Sequence, residues 1–356
     1  MHARRQPRRV IATRPMERRR RRRRALVALG ITSALVAGTA YGTWQYIEDR
    51  EFLLDERCEV TVGEQTMTLS PAQARSAADL AVAAADRGLP PQAAVHAMAM
   101  SLQETDLLDR ASGEEGDPAE LFARGNPSWS EGPSAEVAET SVSGFFDVLE
   151  ESWQAGQADE DADDGEDEAP EHWNPQLELD AAAEVLERPH NAQFYPQHLP
   201  TARAFAWPLV GQQPVDMTCH ISQLEVSGPD PVGVVDEIVA SMPHALEIPF
   251  TEAPENDGGD DDEAAEFVAE PILNDVIESS GEGEDAVLQI QVPEHEDDVD
   301  YQWMLAHWAI AVARDYGIQS VEAGAYTWDR DSGRWTREDE VPASNTEVSI
   351  GFSPAS

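Results

Sequence analysis

The sequence contains no lysine, and only two of its 356 residues are cysteine. No Cys-x-x-Cys pair occurs, and the nine histidines lack the spacing of zinc ligands, so we predict no metal site. The glycine-rich phosphate loop, the dinucleotide-binding fingerprint and the Gly-x-Ser-x-Gly elbow of serine hydrolases are also missing. We therefore predict that the chain uses no cofactor.

Positive charge is almost absent outside the first 24 residues. That segment holds twelve of the 24 basic residues, all arginine, and one of the 69 acidic residues, which gives it a formal charge of +11. The rest of the chain carries −56, within a total of −45. Because so few arginines remain there, that part cannot neutralise a phosphate backbone, and we predict no nucleic-acid partner. A surface this acidic stays soluble where salt screens its self-repulsion.

A long run without charged residues follows the basic tail. Ala25–Tyr46 contains 22 uncharged residues, enough to cross a hydrocarbon core about 30 Å thick at 1.5 Å per residue. The positive-inside rule then predicts a cytoplasmic tail at 1–24, a lipid-contacting helix at 25–47 and an extracytoplasmic body. The chain is thus expected to be a single-pass protein of the cell membrane. Residues 38–40 (Gly-Thr-Ala) also fit a signal-peptidase site, so cleavage of this anchor stays open.

The body mixes helical and strand patterns and is expected to belong to the α+β class. A charged stalk at 48–57 leads into it, and two acidic runs, 157–171 and 252–270, are predicted to be disordered inserts because they cannot bury apolar surface. The predicted elements of the first part are a hairpin at 58–69 and helices at 70–87, 90–108, 145–153, 179–186 and 202–210. Those of the second part are strands at 224–226, 286–292 and 347–352, helices at 232–242 and 301–316, and a hairpin within 320–335.

The two cysteines, Cys58 and Cys219, lie in the part predicted to be outside the membrane, where disulfides persist. Two cysteines allow one pairing, and closing a loop of about 160 residues would remove roughly 4–5 kcal/mol of unfolded-chain entropy. Two buried free thiols are the alternative. We expect the disulfide.

Several segments of the first part occur in the order of a known pattern. They are an RGLP turn at 87–90, a QET helix end at 103–105, a GDPAELFARG loop at 116–125, an FFDVL helix at 145–149 and a closing cysteine. In these features residues 58–219 resemble actinobacterial single-pass membrane proteins with a lysozyme-like, transglycosylase-like domain, some of which carry a heavy-metal-transporter label. The resemblance implies a mainly α lysozyme-like domain at 58–219 and a small α+β domain at 224–352. One membrane helix cannot form a transport path, so that label carries little weight.

The resemblance also implies a role for Glu104 as the general acid of glycan cleavage. Such an acid must stay protonated in an apolar cleft beside the glycosidic oxygen. The family has a GLFQQ segment beside this acid, whereas this chain keeps only Leu121 and Phe122, replaces the glycine with Glu120 and lacks both glutamines. Two functions therefore stay open. We expect a non-catalytic envelope module that binds peptidoglycan or a partner protein, and the alternative is a glycan-cleaving enzyme that uses Glu104.

Overall fold

The computed structural model describes eleven stretches of the chain after residue 55. They are 56–110, 120–123, 140–160, 171–188, 191–214, 216–222, 226–251, 270–273, 275–295, 299–337 and 346–353. The predicted tail, the predicted membrane helix at 25–47 and most of the stalk lie outside these stretches. Within them, no helix combines the length and the apolar character that a membrane crossing requires. The membrane helix therefore stays a prediction.

The described residues have the expected α+β class, with eight α-helices and two antiparallel sheets. The helices are α1 (Pro71–Asp86), α2 (Pro91–Glu104), α3 (Val142–Glu160), α4 (Leu179–Val185), α5 (Leu199–Leu209), α6 (Pro231–Ser241), α7 (Tyr301–Ala311) and α8 (Ala313–Tyr316). Two 3₁₀ helices span Ala192–His198 and Gly283–Asp285. The strands are β1 (Arg57–Val62), β2 (Gln65–Leu69), β3 (Met217–His220), β4 (Ile277–Ser280), β5 (Val287–Gln291), β6 (Ser320–Ala323), β7 (Tyr326–Asp329), β8 (Arg334–Arg337) and β9 (Glu347–Gly351).

The first sheet joins the start of the body to a strand about 160 residues later. Its order is β2-β1-β3, and the predicted hairpin forms β1 and β2 around Gly63. Cys58 and Cys219 lie directly opposite each other on β1 and β3 and form a disulfide. The predicted disulfide is therefore confirmed, although the strand that carries its second cysteine was not predicted.

The start of α1 follows the capping box that its sequence predicts. Ser70 accepts a hydrogen bond from the backbone N–H of Gln73, and the Gln73 side chain accepts one from the backbone N–H of Ser70. Pro71 takes the first helical position, where a missing N–H costs nothing. At the other end Gly88 adopts a φ of +63° and stops the helix.

The second sheet has the order β4-β5-β9-β6-β7-β8, and every neighbouring pair is antiparallel. The last strand, β9, lies in its centre between β5 and β6. All eleven residues of α7 are buried, because this helix contacts the sheet on one side and α1 and α5 on the other. The described residues after residue 55 group into one compact unit with a common hydrophobic core, and the division into two domains stays a prediction.

Two helix boundaries differ from the sequence-based expectations. Helix α2 ends at Glu104 rather than near residue 108, because Asp106 and Leu107 have positive φ angles of 61° and 54°. This turn buries Leu107 in the core. Helix α3 runs to residue 160, so the first residues of the predicted acidic insert continue the helix. Alanine, glutamine and glutamate there are good helix formers.

The second part of the chain also differs in detail. The predicted helix at 301–316 breaks at Val312, whose ψ of 1° lies outside the helical range, and yields α7 and α8. The predicted strand at 224–226 has only Val226 among the described residues, and Val226 is not in a strand. Strand β4 was not predicted. Residues 161–170 and 252–269, which form most of the two acidic inserts, lie outside the described stretches.

Candidate functional site

Glu104 lies at the C-terminal end of α2 with no part of its side chain exposed. It forms a buried ion pair with Arg188, which follows α4. Arg188 Nε donates to Glu104 Oε1 at 2.9 Å, and Arg188 Nη2 donates to Oε2. The guanidinium therefore binds both carboxylate oxygens in the bidentate geometry that arginine favours.

Two further donors complete the surroundings of this carboxylate. The Tyr195 hydroxyl donates to Glu104 Oε1 at 2.8 Å, and the backbone N–H of Ala123 donates to Oε2 at 2.9 Å. Each oxygen thus accepts two hydrogen bonds. A general acid needs instead a proton on one oxygen and open space beside it.

The described part of the predicted cleft loop lies beside the ion pair of Glu104 and Arg188. Phe122 stacks on Phe145 with ring centroids 4.2 Å apart, and the Arg188 guanidinium lies 5.1 and 5.6 Å from these two rings. Leu121 is fully buried, and its carbonyl accepts a hydroxyl hydrogen bond from Thr105 at 2.7 Å. Phe122 and Ala123 therefore contact the ion pair, whereas residues 116–119 and 124–125 lie outside the described residues.

Glu120, the unusual acid of this loop, is not among the donors or acceptors around Glu104. Its backbone N–H donates to Asp109 at 2.8 Å, and its carbonyl accepts from the backbone of Arg110. Sequence reasoning missed both side chains that bind Glu104. One signal was present for Arg188, because arginine is scarce in the body and this arginine directly follows a predicted alanine-rich helix.

A cleft of about 1250 Å³ lies between α1, the start of α3, and α6. Six carboxylates and three arginines line it. They are Asp79, Asp86, Asp109, Glu150, Glu237 and Asp315, with Arg75, Arg87 and Arg314. We refer to this cavity as the α1–α6 cleft. Its excess of carboxylates favours positively charged ligand groups.

One guanidinium in this cleft is shared by three carboxylates from three helices. Arg75 lies 3.0 Å from Asp315 on α8, 3.5 Å from Glu237 on α6 and 4.0 Å from Asp79 on α1 itself. Burial raises the pKa of Asp79 to about 7; Arg75 opposes this rise, while Glu237, Asp109 and Asp315 add to it. The pKa of Asp79 thus lies near neutral pH.

Two histidines, His96 and His307, are buried and hydrogen-bonded inside the fold. Burial lowers the pKa of both His96 and His307 to about 4, so both imidazoles are neutral near pH 7. His96 Nδ1 accepts from the Trp173 indole at 3.1 Å, and His307 Nδ1 donates to the carbonyl of Pro208 at 2.6 Å. Within the stretches that the structure describes, no three histidine, cysteine or acidic side chains are placed to hold a metal ion.

No protein-family model matches the chain, and neither a curated protein nor a solved structure is significantly similar to it. The resemblance to lysozyme-like membrane proteins therefore stays a prediction from the sequence.

Proposed function

We propose that this chain is a single-pass protein of the cell membrane whose extracytoplasmic body binds peptidoglycan without cleaving it. The observation that carries the non-catalytic part is the burial of Glu104 in a four-donor ion-pair site with Arg188, Tyr195 and Ala123. The envelope setting follows from the arginine tail and the uncharged run at 25–46.

Glu104 is the only residue onto which the lysozyme-like resemblance carries a catalytic role. To donate a proton to a glycosidic oxygen, its carboxyl would have to release Arg188 and at least one of the two other donors, Tyr195 and the Ala123 N–H. A buried ion pair loses several kcal/mol when one partner is removed, so this release has a high cost. The body is therefore better suited to binding than to cleavage.

The α1–α6 cleft is the place that we assign to this binding. Its volume is sufficient for a short peptide segment, and ligand sites are typically concave. Peptidoglycan presents ammonium groups on its peptides, and the carboxylate excess of the cleft favours such groups. Binding should therefore weaken as salt screens these charges.

A cleavage assay tests the non-catalytic part. Purified body is incubated with sacculi, and the release of soluble fragments is measured beside active lysozyme and a no-protein blank. We expect release at the level of the blank. Release by the wild type that disappears in Glu104→Gln, with the variant still folded, would instead establish the glycan-cleaving enzyme.

A binding assay tests the cleft. Ala240 on α6 is exposed and lines the cleft, so Ala240→Trp places an indole inside it. Ala158 near the end of α3 is also exposed but is not among the lining residues, and Ala158→Trp is the matched control. We expect sedimentation with sacculi for the wild type and the control, and a loss for Ala240→Trp. Equal sedimentation of both variants would refute the cleft, and no sedimentation of any form would refute peptidoglycan as the ligand.

A further inference from the structure

Helix α6 forms one wall of the α1–α6 cleft, and Val235 and Val239 on it are partly buried against the core. Among its residues only Val234 and Ile238 are fully buried. At its C-terminal end, Asp86 of α1 accepts hydrogen bonds from the backbone N–H groups of His244 and Ala245 at 2.7 and 2.9 Å. The helix therefore depends on polar contacts across the cleft for part of its attachment.

The polar contact at the middle of α6 is made by Glu237. It lies 3.5 Å from Arg75 of α1 and accepts a hydrogen bond from the Tyr316 hydroxyl at 3.0 Å. Arg75 also forms ion pairs with Asp315, at 3.0 Å, and with Asp79, at 4.0 Å. The single positive charge of Arg75 thus lies near carboxylates from α1, α6 and α8.

We propose that this contact between α1 and α6 is a pH-sensitive joint, which loosens when Asp79 loses its proton and becomes a third anion competing for Arg75. While Asp79 is neutral, Arg75 forms ion pairs with the two anions Glu237 and Asp315. Once Asp79 is ionised, it attracts Arg75 and repels Glu237. Opening of α6 then relieves the repulsion, because it removes Glu237 from the cluster.

Four charged groups act on Asp79, one from its own helix and three from other parts of the fold. Arg75 stands on its own helix, Asp109 follows α2, Glu237 stands on α6 and Asp315 on α8. A carboxyl whose pKa rises on folding stabilises the folded state while it is protonated there. That stabilisation is lost as the pH rises from 3.8, the usual value, to about 7. The joint is therefore tight in mildly acidic medium and looser above neutral pH.

Hydrogen exchange of the α6 amides tests this joint. Exchange is followed by mass spectrometry at about pH 5.5 and about pH 8.5, and each rate is corrected for its intrinsic pH dependence. Glu237 is one of several neighbours that raise the pKa of Asp79, so we expect its removal on opening to lower that pKa by about one unit. In the wild type this corresponds to about tenfold more opening of α6 at the higher pH. In Asp79→Asn this increase should disappear.

The control stands on the same helix. Asp236 is exposed and adjacent to Glu237, and Asp236→Asn should keep the wild-type response. Glu237→Gln is the second test variant, since it removes the anion that α6 contributes and should abolish the pH response even if Asp79→Asn does not fold. An α6 opening that depends on pH equally in the wild type, Asp79→Asn and Glu237→Gln would overturn the proposal. So would a wild type with no pH dependence.

Discussion

Replacement of Glu104 by glutamine separates a structural ion pair from a catalytic acid. The substitution keeps the size of the side chain and one acceptor oxygen but removes the negative charge beside Arg188. The guanidinium would then stay buried without its counter-ion, since neither side chain of the pair is exposed. Breaking a buried pair in this way costs about 3–5 kcal/mol.

Thermal unfolding followed by circular dichroism measures this cost. For a chain of this size 1 kcal/mol corresponds to about 2–4 °C, so Glu104→Gln should lower the Tm by about 10 °C. The control is Glu150→Gln, because Glu150 lies 3.8 Å from Arg87 in a partly exposed pair. Such a pair contributes at most about 1 kcal/mol, and the control should lose no more than a few degrees.

The opposite result is equally informative. Catalytic residues often reduce stability, so removal of a catalytic acid leaves the Tm unchanged or raises it. An unchanged or higher Tm for Glu104→Gln would refute the structural role. Adding Arg188→Met to the same chain should restore most of the loss, because replacing both partners of a buried pair is close to neutral. If the double variant is no more stable than the single one, the ion pair is not the source of the effect.

Two further predictions concern other parts of the fold. Replacing Cys58 and Cys219 with serine opens a link between positions 161 residues apart, and urea unfolding should show a loss of about 4–5 kcal/mol; a curve that matches the oxidised wild type would contradict this. Gly211→Ala would bring a Cβ within 2.0 Å of a backbone carbonyl oxygen at a φ of +77°, at a cost of about 2–3 kcal/mol, whereas Gly228→Ala meets nothing within 4 Å and should change stability by less than about 0.5 kcal/mol. Equal stability of the two glycine variants would contradict the predicted clash.

The elements that could be predicted from the sequence are those determined by neighbouring residues. The capping box at Ser70 and Gln73 and the stop at Gly88 depend on side chains within one helical turn, and each has the expected geometry. The alternation in residues 286–292 likewise predicted β5, because a strand with one buried face has a period of two. Class and most element types follow from such local patterns.

Pairings between distant segments could not be predicted in the same way. Strand β9 pairs with β5 and β6 in the middle of the second sheet, although consecutive strands are usually neighbours. Arg188 and Tyr195 lie 84 and 91 residues after Glu104, and no spacing rule connects them to it. The sequence could indicate Glu104 as a candidate but not the partners that determine its chemistry.

Arg188 and Tyr195 determine what the Glu104 carboxyl can do, because proton donation and ion pairing require different surroundings. Donation requires a neutral carboxyl beside open space, whereas both oxygens of Glu104 already accept hydrogen bonds from Arg188, Tyr195 and the Ala123 N–H. Removing Arg188 alone would leave the hydrogen bonds from Tyr195 and Ala123, and removing those two donors would leave the ion pair intact. At least two coordinated changes thus separate this arrangement from a working general acid, which is why we assign the body to binding.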